Sequence, residues 1–301
     1  MIDKTDKPKK PKIEPTQAYG RPSSIEDKTN QYFVHPISDQ VVVLSIKLGI
    51  SPNFISLLGL ACGFLAAFLY LSLPTTGFVF GGFIAMVGWH IFDGADGKLA
   101  RATGQASAFG RIIDGICDHL VFGSVYIALT LHMIHTGAPY AIWWLIIGAG
   151  FSHAIQSAAY EERRQKFQRR HKGLERNVIN DSLIHVEGQK SFIAVCYNFL
   201  QKIAEGPQSS LDKKLGLLQK YGDDLKRIEA INKTKEMVKL WGWLNANNRT
   251  ILIAIMAFIN QPILYFILET TLLNLLLIIF VTIEQRFEEK LAASIDIETA
   301  G

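Results

Sequence analysis

The sequence predicts an all-α integral membrane protein with six transmembrane helices and a cytoplasmic helical insertion. Three observations predict it. First, apolar and charged residues lie in separate blocks: the 301-residue chain is 49% hydrophobic with a mean hydropathy of +0.19, although 19% of it is charged. Second, the apolar blocks approach the ~20 residues that a spanning helix needs. Third, basic residues alternate between links. Those near 73–76, 135–139 and 260–262 carry no Lys or Arg, whereas the N-terminal tail, the link with Lys98, Arg101 and Arg111, and the stretch after Tyr160 are basic. Positive charge stays inside, so both termini and the two basic links are assigned to the cytoplasm.

Residues 1–35 read as a loosely held, Lys- and Pro-rich tail. No cleavable signal peptide is expected, because Lys4, Lys7, Lys9, Lys10 and Lys12 have no apolar run behind them. Residues 37–49 are too short to span; a helix in the membrane interface and a helix packed on its own protein both fit. The first span is expected at about 53–72, opened by Pro52, with others at about 76–93, 111–134 and 138–159. The apolar region from Thr250 to Ile283 is too long for one span. Asn260-Gln261-Pro262 is a turn signal, which gives spans at about 243–260 and 262–284; a division near Thr270 is the alternative.

The expected organisation is therefore a cytoplasmic tail and interfacial helix (1–50), four spans (51–160), a helical insertion (161–242), two spans (243–288) and a cytoplasmic tail (289–301). Arg163, Arg164, Lys166, Arg169, Arg170 and Lys172 open the insertion. They read as a topology anchor or as a recruiting site for anionic lipid. Leu211, Leu215, Leu218, Leu225 and Ile228 recur at near-helical spacing, which predicts amphipathic helices. The net charge of +4 comes without a basic stripe interleaved with aromatics, which argues against nucleic acid as a partner. Cys62, Cys117 and Cys196 form no C-x-x-C pair, so neither a disulfide framework nor a zinc site is expected.

The chemistry concentrates in residues 93–118, DGADGKLARATGQASAFGRIIDGICD. Carboxylates in or beside a span are costly, and their default reading is functional. Asp93 and Asp96 are three apart, and Asp114 and Asp118 four apart, so each pair shares a helix face. If the second and third spans pair antiparallel, both pairs converge at the cytoplasmic end. Four converging carboxylates need a cation. Hard oxygen ligands suit Mg²⁺, Mn²⁺ or Ca²⁺, and such a site suits a diphosphate. Gly97, Ala100 and Gly110 are small enough for a ligand to approach the backbone, and Arg101 offers a partner for phosphate. A carboxylate left over from the metal offers a general base. Single pieces have plainer readings: glycines in spans pack helices, and one aspartate could pair with Arg111. His90, His153, Gln156 and Glu269 are also expected to face the protein interior. For His153 and Gln156, interhelical hydrogen bonding and substrate contact stand side by side.

The run resembles the signature of the CDP-alcohol phosphotransferase family, D-x2-D-G-x2-A-R-x8-G-x3-D-x3-D. Here it reads Asp93, Asp96-Gly97, Ala100-Arg101, Gly110, Asp114 and Asp118, with no departure. Six spans and Pro52-Asn53 opening the first are also similar; the tail 1–35 and most of 161–242 lie outside the resemblance. The resemblance implies transfer of a phosphate-linked group from a CDP-linked donor to an alcohol, with release of CMP. It implies that Asp93, Asp96, Asp114 and Asp118 bind Mg²⁺ or Mn²⁺, with Asp118 also the candidate base. It implies too that Gly97, Ala100 and Gly110 line the cytidine pocket, and that the protein is a homodimer. The family divides between CDP-diacylglycerol with a polar alcohol, taken here as the first reading, and CDP-choline or CDP-ethanolamine with a lipid alcohol. The run Asp114 to Asp118 is similar to the Gly-Cys-Asp segment of the second branch, and His119 beside Asp118 could tune it. An intramembrane prenyltransferase would show two distant aspartate motifs, whereas this chain has one compact cluster. A non-catalytic transporter would show repeats and broken helices.

Overall fold

The computed structural model describes residues 23–106, 108–173 and 209–296. Among them there are helices and no strands. A short 3₁₀ turn (Ser23–Ile25) and a π turn (Asn30–Val34) lead into α1 (His35–Leu48), which ends at Gly49 in the left-handed region. In α2 (Pro52–Tyr70), Pro52 opens the helix and Ser51 Oγ accepts the Phe54 N–H at 3.3 Å. α3 (Thr76–Ala102), α4 (Ala108–His135) and α5 (Ile142–Lys172) follow. Three short helices come after them: α6 (Ser210–Lys220), α7 (Asp224–Lys233) and α8 (Lys235–Trp241). The chain then returns to apolar segments in α9 (Ala246–Phe258), α10 (Pro262–Thr270) and α11 (Leu272–Ala293).

Among the described residues, four helical stretches are long and apolar enough to cross a membrane: Pro52–Tyr70, Thr76–Ala102, Asp114–His135 and the run Pro262–Ala293. The expectation of six is met for these four. The expected fifth span forms only the 13 residues of α9, about 20 Å of helix against a hydrocarbon core of about 30 Å. α5 is apolar at its start and highly charged after Tyr160, which dilutes it as a span. The last apolar region breaks at both places considered. Asn260 takes a positive φ of 55° before Pro262, and the helix interrupts again at Thr271.

Helices α2, α3, α4, α5, α9 and α10 share one core that includes Tyr70, Met86, Trp89, Leu129, Tyr265 and Phe266. Their outer faces carry exposed Phe68, Phe80, Trp144, Phe151 and Phe258. So much exposed apolar surface suits lipid and would be a liability in water. Small residues set the helix spacing. On α2, a Cβ added at Gly59 would lie 3.3 Å from Phe92 Cβ, and one at Gly63 would overlap Val121.

A second core joins Ile25, Phe167, Leu211, Leu215, Leu218, Ile231, Val238 and Leu291. It packs α6–α8 onto the charged ends of α5 and α11. Leu211, Leu215 and Leu218 are buried as expected, but Leu225 is 85% exposed and Ile228 is 40% exposed. The turn at Gly222 (φ 76°) resets the helical phase, and α7 buries Arg227, Ala230 and Ile231 instead. Five residues of the basic cluster are ion-paired within the protein. Arg163 meets Glu284 at 3.0 Å, Lys166 meets Glu288 at 2.9 Å, and Arg170 meets Glu288 at 2.7 Å and Asp212 at 2.8 Å. Arg164 meets Glu26 at 2.6 Å, and Arg169 meets Glu162 at 2.6 Å. These charges knit α5 to α11, α6 and the N-terminal segment, and do not face outward as a headgroup patch. Burial pushes the Asp212 carboxyl up, but Arg170 and Lys166 more than offset it and hold it below its ordinary range. Residues 1–22, 174–208 and 297–301, Cys196 among them, lie outside the described residues.

Candidate active site

α3 continues past the expected end near 93 to Ala102, so Asp93, Asp96, Gly97, Ala100 and Arg101 all lie on one helix. Asp114 and Asp118 lie on α4, which also carries Gly110 in its first turns. The side chains of residues 108–113, Arg111 among them, are outside the described set. Asp93 of α3 and Asp118 of α4 lie close enough to interact with each other. Asp96 and Asp114 are near enough to act electrostatically on Asp93 and on one another. The structure therefore brings all four aspartates together, as their spacing predicts.

Neighbouring helices fix this group. Ser56 Oγ of α2 donates to Asp96 Oδ2 in a short hydrogen bond, and Asp96 is buried. A Cβ on Gly59 would lie 3.8 Å from Asp93 N, so α2 closes on α3 beside the cluster. α1 closes from the other side. Ser38 Oγ donates to Ile91 O at 2.8 Å, and a Cβ on Gly94 would come within 2.9 Å of that hydroxyl. Lys98, in a variable position of the motif, is buried and pairs with Asp39 Oδ1 of α1 at 2.7 Å. Of the two readings of residues 37–49, packing on the protein's own α3 is thus observed. Arg101 is exposed at the end of α3, with its guanidinium folded over Gly97, where a Cβ would be 3.4 Å from Nη1.

The donor set consists of hard carboxylate oxygens, which fits a divalent cation of the Mg²⁺ kind and none that prefers sulfur. Among the described residues no group of three or more His, Cys, Asp or Glu side chains is spaced to hold a metal ion.

The other polar residues join a buried network deeper in the bundle. His90 Nε2 lies 2.8 Å from Thr250 Oγ1. Glu269 finds its partner in Arg249, with Nε 3.3 Å from Oε2 and both side chains fully enclosed. Arg249 Nη2 donates to Gln156 Oε1 at 2.6 Å, and Gln156 Nε2 donates to Asn274 Oδ1 at 2.8 Å. Tyr265 OH donates to Glu269 Oε2 at 3.0 Å, Tyr126 OH lies 2.5 Å from Tyr265 OH, and His153 Nδ1 lies 2.8 Å from Tyr126 OH. Interhelical hydrogen bonding is therefore observed for His153 and Gln156. Sequence reasoning missed Arg249, Tyr126, Tyr265 and Asn274. The available signal was an arginine at the head of an apolar run that holds a glutamate and no other cation.

Residues 49–173 match the family model described as CDP-alcohol phosphatidyltransferase. The chain is 30% identical over 119 residues to a phosphatidylinositol phosphate synthase of Mycobacteroides abscessus, covering 40% of this chain and 47% of the relative. It is 26% identical over 132 residues to the phosphatidylinositol phosphate synthase of Corynebacterium glutamicum, covering 44% and 52%. It is 36% identical over 86 residues to an archaetidylinositol phosphate synthase of Pyrococcus horikoshii, covering 28% and 43%. The chain thus spans about half the length of the curated relatives it matches. No solved structure matches.

Proposed function

We propose, from the match of residues 49–173 to the CDP-alcohol phosphatidyltransferase family model, that this chain transfers a phosphatidyl group from CDP-diacylglycerol to a polar alcohol in phospholipid biosynthesis, releasing CMP. The observation that carries the proposal is the convergence of Asp93, Asp96, Asp114 and Asp118 between α3 and α4. Asp93, Asp96, Asp114 and Asp118 would hold Mg²⁺ or Mn²⁺, which when bound neutralises diphosphate charge. Gly97, Ala100 and Gly110 leave the backbone open to the nucleotide, and Arg101 pairs with phosphate. Asp118 takes the proton from the acceptor hydroxyl. The alcohol oxygen then forms its bond to the lipid-side phosphorus as the bond to CMP breaks. In this proposal α5 and α9 cross the membrane with the four apolar stretches above, making six spans. The aspartates and residues 161–242 face the cytoplasm, and two copies form the working dimer.

The relatives' names favour the diacylglycerol branch over the aminoalcohol branch and make a phosphorylated inositol the first acceptor to test. The test incubates membranes carrying the protein with radiolabelled CDP-diacylglycerol or CDP-ethanolamine and a panel of alcohols. Labelled lipid should form from CDP-diacylglycerol and one polar alcohol. Label entering lipid from CDP-ethanolamine alone would assign the protein to the other branch.

A further inference from the structure

The buried network reads in one direction. Glu269, ion-paired with Arg249, is a carboxylate and has no proton to give, so Tyr265 must donate to it. Each tyrosine hydroxyl has one proton. Tyr265 having spent its own, the 2.5 Å contact with Tyr126 must be donated by Tyr126. Tyr126 in turn has only an oxygen lone pair left for His153, so His153 Nδ1 carries the proton in that 2.8 Å bond. A neutral imidazole protonated at Nδ1 has an acceptor lone pair at Nε2. The charge on Glu269 thus sets the tautomer of a histidine three hydrogen bonds away.

Position gives this lone pair a use. The His153 ring packs edge-on to Phe122 at 4.4 Å, and its centroid lies 6.3 Å from the ring of His119 and 5.9 Å from that of Tyr126. Phe122 is one helical turn beyond Asp118 on α4, while His119 and Tyr126 are two turns apart. His153 sits between them. Nε2 lies on the side of the ring away from the Nδ1–Tyr126 bond. The imidazole packs on Phe122, one helical turn along α4 from Asp118.

We propose that His153 is an acceptor-binding residue: its Nε2 receives a hydrogen bond from a hydroxyl of the polar alcohol, and the Arg249–Glu269–Tyr265–Tyr126 chain is the positioning device that keeps Nε2 unprotonated. The alcohol is thereby read as a hydroxyl donor just inside the metal-binding aspartates. The inference rests on those aspartates being the transfer site.

The test uses the full chain purified in phospholipid nanodiscs, with CDP-diacylglycerol and the alcohol that the panel identifies. His153→Ala should raise KM for the alcohol about tenfold, the worth of one net hydrogen bond, with KM for the donor unchanged. His153→Gln, whose amide oxygen can stand in for Nε2, should recover part of the loss. Tyr265→Phe frees Tyr126 to turn its proton and should raise KM for the alcohol in the same way. Nitrogen NMR of ¹⁵N-histidine-labelled protein should show His153 protonated at Nδ1 in the wild type, and a shift toward Nε2 protonation in Tyr265→Phe. An active wild type with unchanged alcohol KM in His153→Ala and Tyr265→Phe, or with its His153 proton on Nε2, overturns this inference alone. A wild type that releases no CMP from any donor overturns the transfer reading beneath it.

Discussion

Glu269 shows how much one residue carries in this bundle. Its carboxylate accepts from Arg249 and from Tyr265, and the side chain has no measurable exposure. Removing one member of such a pair leaves an uncompensated buried charge, which costs roughly 3–5 kcal/mol. Glu269→Ala should therefore lower the thermal unfolding midpoint sharply, and Glu269→Ala/Arg249→Met together should recover most of the loss. Equal midpoints for Glu269→Ala and wild type in a detergent melt would remove the pair from the account. Glu269 announced itself in the sequence as a carboxylate inside an apolar run. Arg249 did not, because it stands at the polar edge of that run and its partner lies beyond the Asn260 turn.

At the scale of elements, α1 acts as a brace for α3. It lies outside the matched segment 49–173, yet it contacts α3 through Ser38 at Gly94 and through Asp39 at Lys98, on either side of Asp96. The Lys98 ammonium is nearly enclosed, so its link to Asp39 is shielded from water and salt. Asp39→Lys and Lys98→Asp should each reduce kcat for CMP release by about tenfold or more, as expected when a reacting group is misplaced. The doubly reversed protein should regain most of the rate. A double variant no better than the singles would mean that the pair does not position α3. The sequence made the helices legible where apolar length and capping agree, as at Ser51-Pro52. It misled at α7, where the Gly222 turn breaks a leucine period that looked continuous. It misled again in the basic run after Tyr160, because whether an arginine meets lipid or a glutamate on α11 depends on tertiary contact.

On the scale of the whole molecule, a bundle with an apolar exterior holds two polar assemblies at different depths. The aspartates between α3 and α4 were legible from spacing, because three- and four-residue intervals fix a helix face and α2 closes over them. The second assembly joins α4, α5, α9, α10 and α11, and no short motif records contacts between helices so far apart in sequence. The charged ends of α5 and α11 anchor α6–α8 on the bundle, which gives the insertion a structural part whatever else it does. The central claim is that the four aspartates form a metal-dependent transfer site. Its most direct test is CMP release by the purified chain from CDP-diacylglycerol and the panel of alcohols, with and without Mg²⁺ or Mn²⁺, beside Asp93→Asn and Asp118→Asn. The account predicts release that disappears on chelation, returns on adding metal back and is lost in both variants. Release that persists in Asp93→Asn, or that ignores chelation, would contradict it.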